Sequence, residues 1–229
     1  MDRDSILLVN DARQHLYGVI WHVFSEPASP IQLDVVFGET TFLALDLFKE
    51  YDCEDYTLAL ENLHEQKKLL GSWDIGRVAQ EYTNLFIGPM NVIAPQYESI
   101  YVSSRRVMFQ ESTLEVRRFF SDEGYVFTGY PKEPDDSLTA ELDFIRQLSS
   151  RLSQSVENND WPEGIRLIDV QARFLEQHLL VWIEAFSKAI REAKASVYYT
   201  ALAAITAAFL KVDHKVLGEI RQALAAADS

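Results

Sequence analysis

The sequence predicts an all-α fold, and three observations lead to this expectation. Apolar residues recur at helical spacing along nearly the whole chain. The 229 residues include only nine glycines and seven prolines, and no linker long enough to separate domains interrupts them. With 48% hydrophobic and 24% charged residues, the composition is that of a globular protein and excludes a disordered chain. We therefore expect one globular all-α domain of about ten helices over residues 1–229, with 211–229 as a peripheral tail.

The first part of the chain is predicted to form five helices. In the first of them, Leu8, Ala12 and Leu16 begin an i, i+4 pattern that places apolar side chains on one face. Pro27 and Pro30 follow this helix and end it, because proline lacks the backbone donor and restricts the residue before it. The five predicted helices are Ser5–Phe24, Ile31–Phe37, Thr40–Tyr51, Asp55–Leu70 and Asp74–Phe86.

The helical period disappears between residues 88 and 104. This segment is apolar but contains Pro89 and Pro95, so we expect it to pack onto the protein or to cover a partner. Within it, the segment 100–102 (Ile-Tyr-Val) has the propensity of a strand, although nothing nearby offers it a pairing partner.

Helices resume in the second half of the chain. Asp136 stands where an N-cap is expected before the second of them. The Ala-rich segment at the end is predicted to form a weaker helix. The predicted helices are Ser112–Glu123, Ser137–Leu152, a region opened by Pro162, Ile165–Phe186, Ser187–Leu210 and a last one reaching about Ala226.

The charge is strongly negative. Lys and Arg number 21 against 35 Asp and Glu, which gives a net charge of −14. Such a surface repels phosphate backbones and excludes nucleic acid as a partner, but it favours cationic segments. The acids are densest in Asp122–Asp143, which contains seven carboxylates and one basic residue, Lys132.

Several features predict a cytoplasmic protein. The lone Cys53 can form no internal disulfide, which is typical of a reducing compartment. The N-terminus lacks the basic and apolar regions of a signal peptide. The longest uncharged stretches, Tyr82–Tyr97 and Ala195–Leu210, are shorter than the ~20 apolar residues that a membrane span needs.

Catalytic and cofactor motifs are not found. None of the five histidines has metal-site spacing, and the sequence contains no nucleophile elbow, dinucleotide fingerprint or phosphate loop. We therefore expect a binding protein, not an enzyme, with no metal and no cofactor.

Several segments resemble the TorD/DmsD family, whose members are cytoplasmic chaperones for molybdenum-cofactor oxidoreductases. Residues 81–89 read E-Y-T-N-L-F-I-G-P and 94–101 read A-P-Q-Y-E-S-I-Y, similar to the family signature E-x-x-x-L-F-x-G-P…P-x-[WY]-E-S-[VI]-Y. Residues 133–136 (E-P-D-D), 141–144 (E-L-D-F) and the aromatic pattern of 174–186 extend the resemblance. Ser137 stands where the family often has His, and Tyr97 where it often has Trp; both departures bear on which client is bound.

The resemblance implies a chaperone that binds the twin-arginine signal peptide of an apo-enzyme, delays its export and keeps it open for molybdopterin insertion. A receptor for such a peptide needs carboxylates for the guanidinium groups and an apolar groove for the residues after them. The candidate peptide-binding residues are Leu85, Phe86, Pro89, Pro95, Tyr97, Glu98, Glu133, Asp135, Asp136 and Ser137.

Alternatives remain open at this point. Leu85 and Phe86 also fit core positions, and His178 and Trp182 fit packing positions better than binding positions. The protein is alternatively a NarJ-type chaperone of a molybdoenzyme subunit without a twin-arginine signal, or a nucleotide hydrolase. Both a monomer and a domain-swapped dimer fit long helices joined by proline-containing loops.

Overall fold

Helices make up nearly all of the computed structural model, which describes residues 1–51, 53–88, 92–103, 108, 110–127 and 133–228. Over these residues the structure contains no β-strand, so the all-α prediction is confirmed. The helices are α1 Arg3–Ser25, α2 Pro30–Val36, α3 Glu39–Leu47, α4 Glu54–Leu69, α5 Ile75–Tyr82, α6 Glu98–Val102, α7 Glu111–Asp122, α8 Leu138–Glu157, α9 Trp161–Phe174, α10 Leu180–Ala193 and α11 Val197–Ala227.

Helix α1 buries one of its faces in the core. Its first turn is capped by Asp2, whose carboxylate accepts a hydrogen bond from the backbone N–H of Ser5 at 2.9 Å. Its apolar stripe, which includes Leu16 and Val23, is buried, and α1 packs along α8. One face of this helix therefore forms part of the core, while its end carries side chains that reach the surface.

The boundary before the last long helix lies at residues 194–196, and not between Phe186 and Ser187 as predicted. Helices α9 and α10 are joined through a π-helical turn at Leu175–Leu179, and α10 continues past Ser187 to Ala193. The chain reverses at Lys194, whose φ of 51° is left-handed, and the Ser196 hydroxyl then caps α11 by accepting from Tyr199 N at 3.2 Å. Ser187 is buried within α10, so its polarity does not mark a break.

The sequence predicts that residues 211–229 form a peripheral tail, and this prediction is wrong. The segment after Lys211 belongs to α11, where Val216, Leu217, Ile220 and Leu224 are fully buried. Helix α9 approaches α11 closely at Gly164, since a Cβ atom there would lie 3.0 Å from Leu224 Cδ1. The end of α11 is therefore part of the core.

A buried polar network fixes α11 against α1 and α9. Arg13 and Asp213 are both fully buried, and the Arg13 guanidinium donates two hydrogen bonds to the Asp213 carboxylate. Tyr17 Oη donates to the same carboxylate at 2.8 Å, and Gln171 Oε1 accepts from Arg13 Nη2 at 2.9 Å. The sequence pattern does not distinguish Arg13 and Asp213 from charged residues that are exposed to solvent. The two form a buried pair because helices that are distant in sequence pack together.

No helix in the described part of the chain combines the length and the apolar character needed to cross a membrane.

Candidate functional site

Backbone hydrogen bonds join two of the signature segments, residues 94–101 and 133–141, into one local structure that we call the frame. Glu98 N donates a hydrogen bond to Asp136 O at 3.0 Å, and Leu138 N donates to Gln96 O at 2.9 Å. Between these bonds, Tyr97 and Ser137 form an isolated antiparallel bridge, which we call the Tyr97–Ser137 bridge. The segments 94–101 and 133–141 therefore form a single local structure, although they lie about forty positions apart.

Asp136 occupies the inner side of this frame. It is fully buried, and its Oδ2 accepts from the backbone N–H of Ser99 at 2.9 Å, in the first turn of α6. The N-cap of α8 is Ser137, whose hydroxyl accepts from Ala140 N at 3.3 Å, so the prediction that Asp136 caps this helix is wrong. Because the Asp136 carboxylate supports a helical turn at Ser99, the strand propensity of residues 100–102 is overridden and they lie in α6.

Asp135 is already bound to an arginine of the protein itself. Its Oδ2 accepts from Arg117 Nε at 2.9 Å and from Arg117 Nη2 at 2.6 Å, and the carboxylate is buried. This ion pair ties the loop to α7. Asp135 thus serves to hold the frame in place.

A buried polar cluster lies behind the frame. His178 Nδ1 is 2.9 Å from Glu98 Oε2, and Trp182 Nε1 donates to Glu141 Oε2 at 3.2 Å. All four residues are buried, which agrees with the interpretation of His178 and Trp182 as packing residues. Burial raises the pKa of the Glu141 carboxyl well above its usual range, and the nearby charges of Glu98 and Asp136 raise it further.

A groove opens on the outer side of the frame, with room for about 380 Å³ between α1, the end of α5 and the signature segments. Its lining mixes aromatic and polar side chains, and Glu133 is the only carboxylate among the lining residues that the structure describes. The lining residues are Trp21, Phe24, Ser25, Tyr82, Phe86, Ile87, Gln96, Tyr97, Phe127, Glu133 and Thr139.

The predicted site residues divide into three groups. Those that line the groove are Phe86, Tyr97 and Glu133. Those that lie inside the protein or away from the groove lining are Leu85, Pro95, Glu98, Asp135, Asp136 and Ser137. Pro89 lies outside the described residues.

Ring contacts and one hydrogen bond join the groove residues Phe24, Tyr82 and Phe86. The Phe86 ring packs edge-on against Phe24 at 5.8 Å and against Tyr82 at 5.0 Å between ring centroids. Tyr82 Oη donates to Phe24 O at 2.9 Å, which ties α5 to α1. Burial is the main cause that raises the pKa of Tyr82 to about 12, so this hydroxyl keeps its proton at neutral pH. Burial also raises the pKa of Tyr97, with the charges of Glu133 and Asp136 adding to it.

Trp21, Ile87 and Phe127 are among the lining residues that sequence reasoning missed. Trp21 is 39% exposed and Ile87 is 56% exposed, which is unusual for such large apolar side chains. A signal was present for Trp21, since it is a tryptophan beside the main apolar stripe of its helix. Its distance in sequence from the signature segments hid the connection.

The described residues thus form an all-α scaffold with one groove that is lined by aromatic side chains and contains one carboxylate, Glu133. Over the described residues, no three His, Cys, Asp or Glu side chains are grouped so that they could hold a metal ion. The chain belongs to the nitrate reductase delta subunit family, which matches residues 49–188.

The relatives of the chain are named chaperones. It is similar to the chaperone protein TorD of Vibrio cholerae, with 27% identity over 145 residues that cover 63% of this chain and 64% of the relative. It is also similar to the probable Tat proofreading chaperone DmsD of Haemophilus influenzae, with 26% identity over 56% of each chain. The chaperone protein TorD of Aliivibrio fischeri is 23% identical over 91% of this chain and 95% of its own. The TorD/DmsD resemblance is thereby confirmed, and the relatives named here are chaperones. The chain matches the Vibrio cholerae and Haemophilus influenzae relatives over less than two thirds of their own length.

Proposed function

We propose that the protein is a cytoplasmic chaperone whose groove binds the twin-arginine signal peptide of a molybdenum-cofactor oxidoreductase. In this role it delays export of the apo-enzyme and assists cofactor insertion. The observation that carries the proposal is the position of the groove, which lies on the frame formed by the two signature segments and includes Tyr97 and Glu133 in its lining.

The chemistry of the groove fits the two parts of such a peptide. Glu133 supplies a carboxylate for a guanidinium group, and the net charge of −14 attracts a cationic peptide from a distance. Trp21 and Ile87 supply exposed apolar surface in the same groove, as the apolar residues after the arginines require.

The test is calorimetric titration of the full chain with a synthetic peptide that contains Ser-Arg-Arg-Ala-Phe-Leu followed by an apolar stretch. The control peptide has both arginines replaced by glutamine. We expect the control to bind at least about ten-fold more weakly, because hydrogen bonds to charged partners contribute ~1.5–3 kcal/mol. Equal affinity for the two peptides would contradict the proposal.

The family match favours a second candidate, because the family is described as nitrate reductase delta subunit. In this case the groove binds a terminal segment of a molybdoenzyme subunit that has no arginine pair. Affinity capture from anaerobically grown source cells separates the two candidates. The N-terminal sequence of the captured oxidoreductase either contains the arginine pair or lacks it.

A further inference from the structure

The carboxylates of the signature segments differ in whether a ligand can reach them. Glu133 lines the groove and is half-buried. From the residues that the structure describes, its carboxylate accepts only a long hydrogen bond, which Thr139 Oγ1 donates to Oε1 at 3.4 Å. No Lys, Arg or His in the described part of the chain forms an ion pair with it. Its oxygens therefore retain most of their capacity to accept hydrogen bonds from a ligand.

The other four carboxylates of the frame are occupied by groups of the protein itself. Glu141 is fully buried and accepts from Trp182 Nε1. Asp135 is paired with Arg117, and Asp136 is fully buried against the Ser99 N–H. Glu98 is buried beside His178. A ligand cation could pair with any of these only by breaking the interactions that hold the frame, so they do not compete with Glu133.

Aromatic rings line the same groove as Glu133. Trp21 and Tyr97 belong to the same groove, and more than a third of the Trp21 surface is exposed. A planar guanidinium stacks on an aromatic face while it donates paired hydrogen bonds to a carboxylate. An ammonium group is more strongly hydrated, has no flat face that could stack on a ring, and cannot donate the paired hydrogen bonds of a guanidinium. These groups suit an arginine side chain better than a lysine.

We propose that the groove binds a single arginine side chain, through the Glu133 carboxylate and the Trp21 ring, so that the two arginines of a signal peptide contribute unequally. The inference rests on the proposed function and adds which side chains bind the arginine. One residue of the arginine pair binds Glu133 and must be arginine. The other remains in solvent, so glutamine or lysine at that position should change the affinity little.

A double-mutant cycle tests this directly. Wild-type protein and Glu133→Gln are each titrated with the Ser-Arg-Arg-Ala-Phe-Leu peptide and with its two forms in which one arginine is replaced by glutamine. Glu133→Gln should bind the parent peptide about ten-fold or more weakly. The single-glutamine peptide that lacks the arginine bound by Glu133 should bind the variant and the wild type equally, because the partner of Glu133 is already removed. The peptide that keeps this arginine should bind the variant as much more weakly as the parent peptide does.

Two further variants serve as a control and as a second readout. Glu115→Gln removes the same charge from an exposed site outside the groove and should leave binding of the parent peptide unchanged. Trp21→Leu keeps the surface apolar but removes the ring. It should reduce the preference for arginine over lysine at the position read by Glu133. Circular dichroism and thermal melting of each variant establish that it is folded.

The outcomes are separable. If the wild type binds the parent peptide and the peptide without arginines equally, the proposed function falls and this inference falls with it. If binding depends on the arginines but Glu133→Gln is coupled to both of them equally, or to neither, the proposed function stands and the single-arginine inference is overturned.

Discussion

Tyr97 combines two roles, because its backbone belongs to the Tyr97–Ser137 bridge while its ring lines the groove. We expect Tyr97→Ala to keep the helical circular dichroism signal and to weaken binding of the twin-arginine peptide about ten-fold, since a stacked or apolar contact contributes ~1–2 kcal/mol. Tyr97→Phe retains the ring and should bind almost as well as the wild type. If Tyr97→Ala instead melts much earlier and binds normally while folded, the ring is a core residue and does not contact the peptide.

Glu141 should make stability depend on pH. The pKa of its carboxyl is raised in the folded protein, so the folded state keeps the proton after the unfolded chain, where this pKa has its ordinary value of about 4.5, has released it. The stability that Glu141 contributes is therefore complete below a pH of about 4.5 and declines by about 1.4 kcal/mol per pH unit above it, until the folded carboxyl also ionises.

The variant Glu141→Gln tests this sign. Glutamine keeps the shape and can still accept from Trp182 Nε1, but it does not titrate. The difference in unfolding free energy, variant minus wild type, should become more positive as the pH rises from about 4.5 to neutrality in urea titrations. Glu115→Gln, at an exposed position, provides the baseline. A difference that does not change with pH would show that Glu141 is ionised in the folded protein.

At the scale of elements, a buried ion pair holds the last helix in place. Asp213→Ala leaves the Arg13 guanidinium buried without its partner, and we expect a loss of ~3–5 kcal/mol of unfolding free energy in urea. The matched control is Asp169→Ala, which breaks the half-exposed Arg221–Asp169 pair formed by the same helix and should cost less than ~1 kcal/mol. Similar effects of the two substitutions would mean that Asp213 does not anchor α11.

At the scale of the whole molecule, the charge of −14 should make peptide binding sensitive to salt. Attraction between a cationic peptide and an acidic surface is screened over about 10 Å at 0.1 M salt, so affinity should fall steadily as salt is raised. Glu133→Gln should bind with a shallower salt dependence, because one carboxylate near the peptide is removed. Calorimetry at several NaCl concentrations measures both slopes. A wild-type affinity that is independent of salt would exclude an electrostatic contribution.

Much of the architecture follows from local pattern. Helical spacing and proline breaks were sufficient for the all-α class and for most helices before residue 90, since both act over a few residues. The predictions of a helix boundary at Ser187 and of a peripheral tail were wrong for the same reason. A polar or Ala-rich helix segment reads the same whether it is buried or exposed, and only its neighbours decide which.

The sequence by itself determined the fold class, the family and the two segments that contribute to the candidate site, because periodicity and signature residues are properties of contiguous stretches. Only the tertiary structure decided what each acid in those segments does. Asp135 is paired because α7 brings Arg117 to it, Asp136 is buried because α6 begins against it, and Glu133 alone of the three lines the groove. The availability of a carboxylate depends on which distant groups surround it, and those contacts form only when the helices pack.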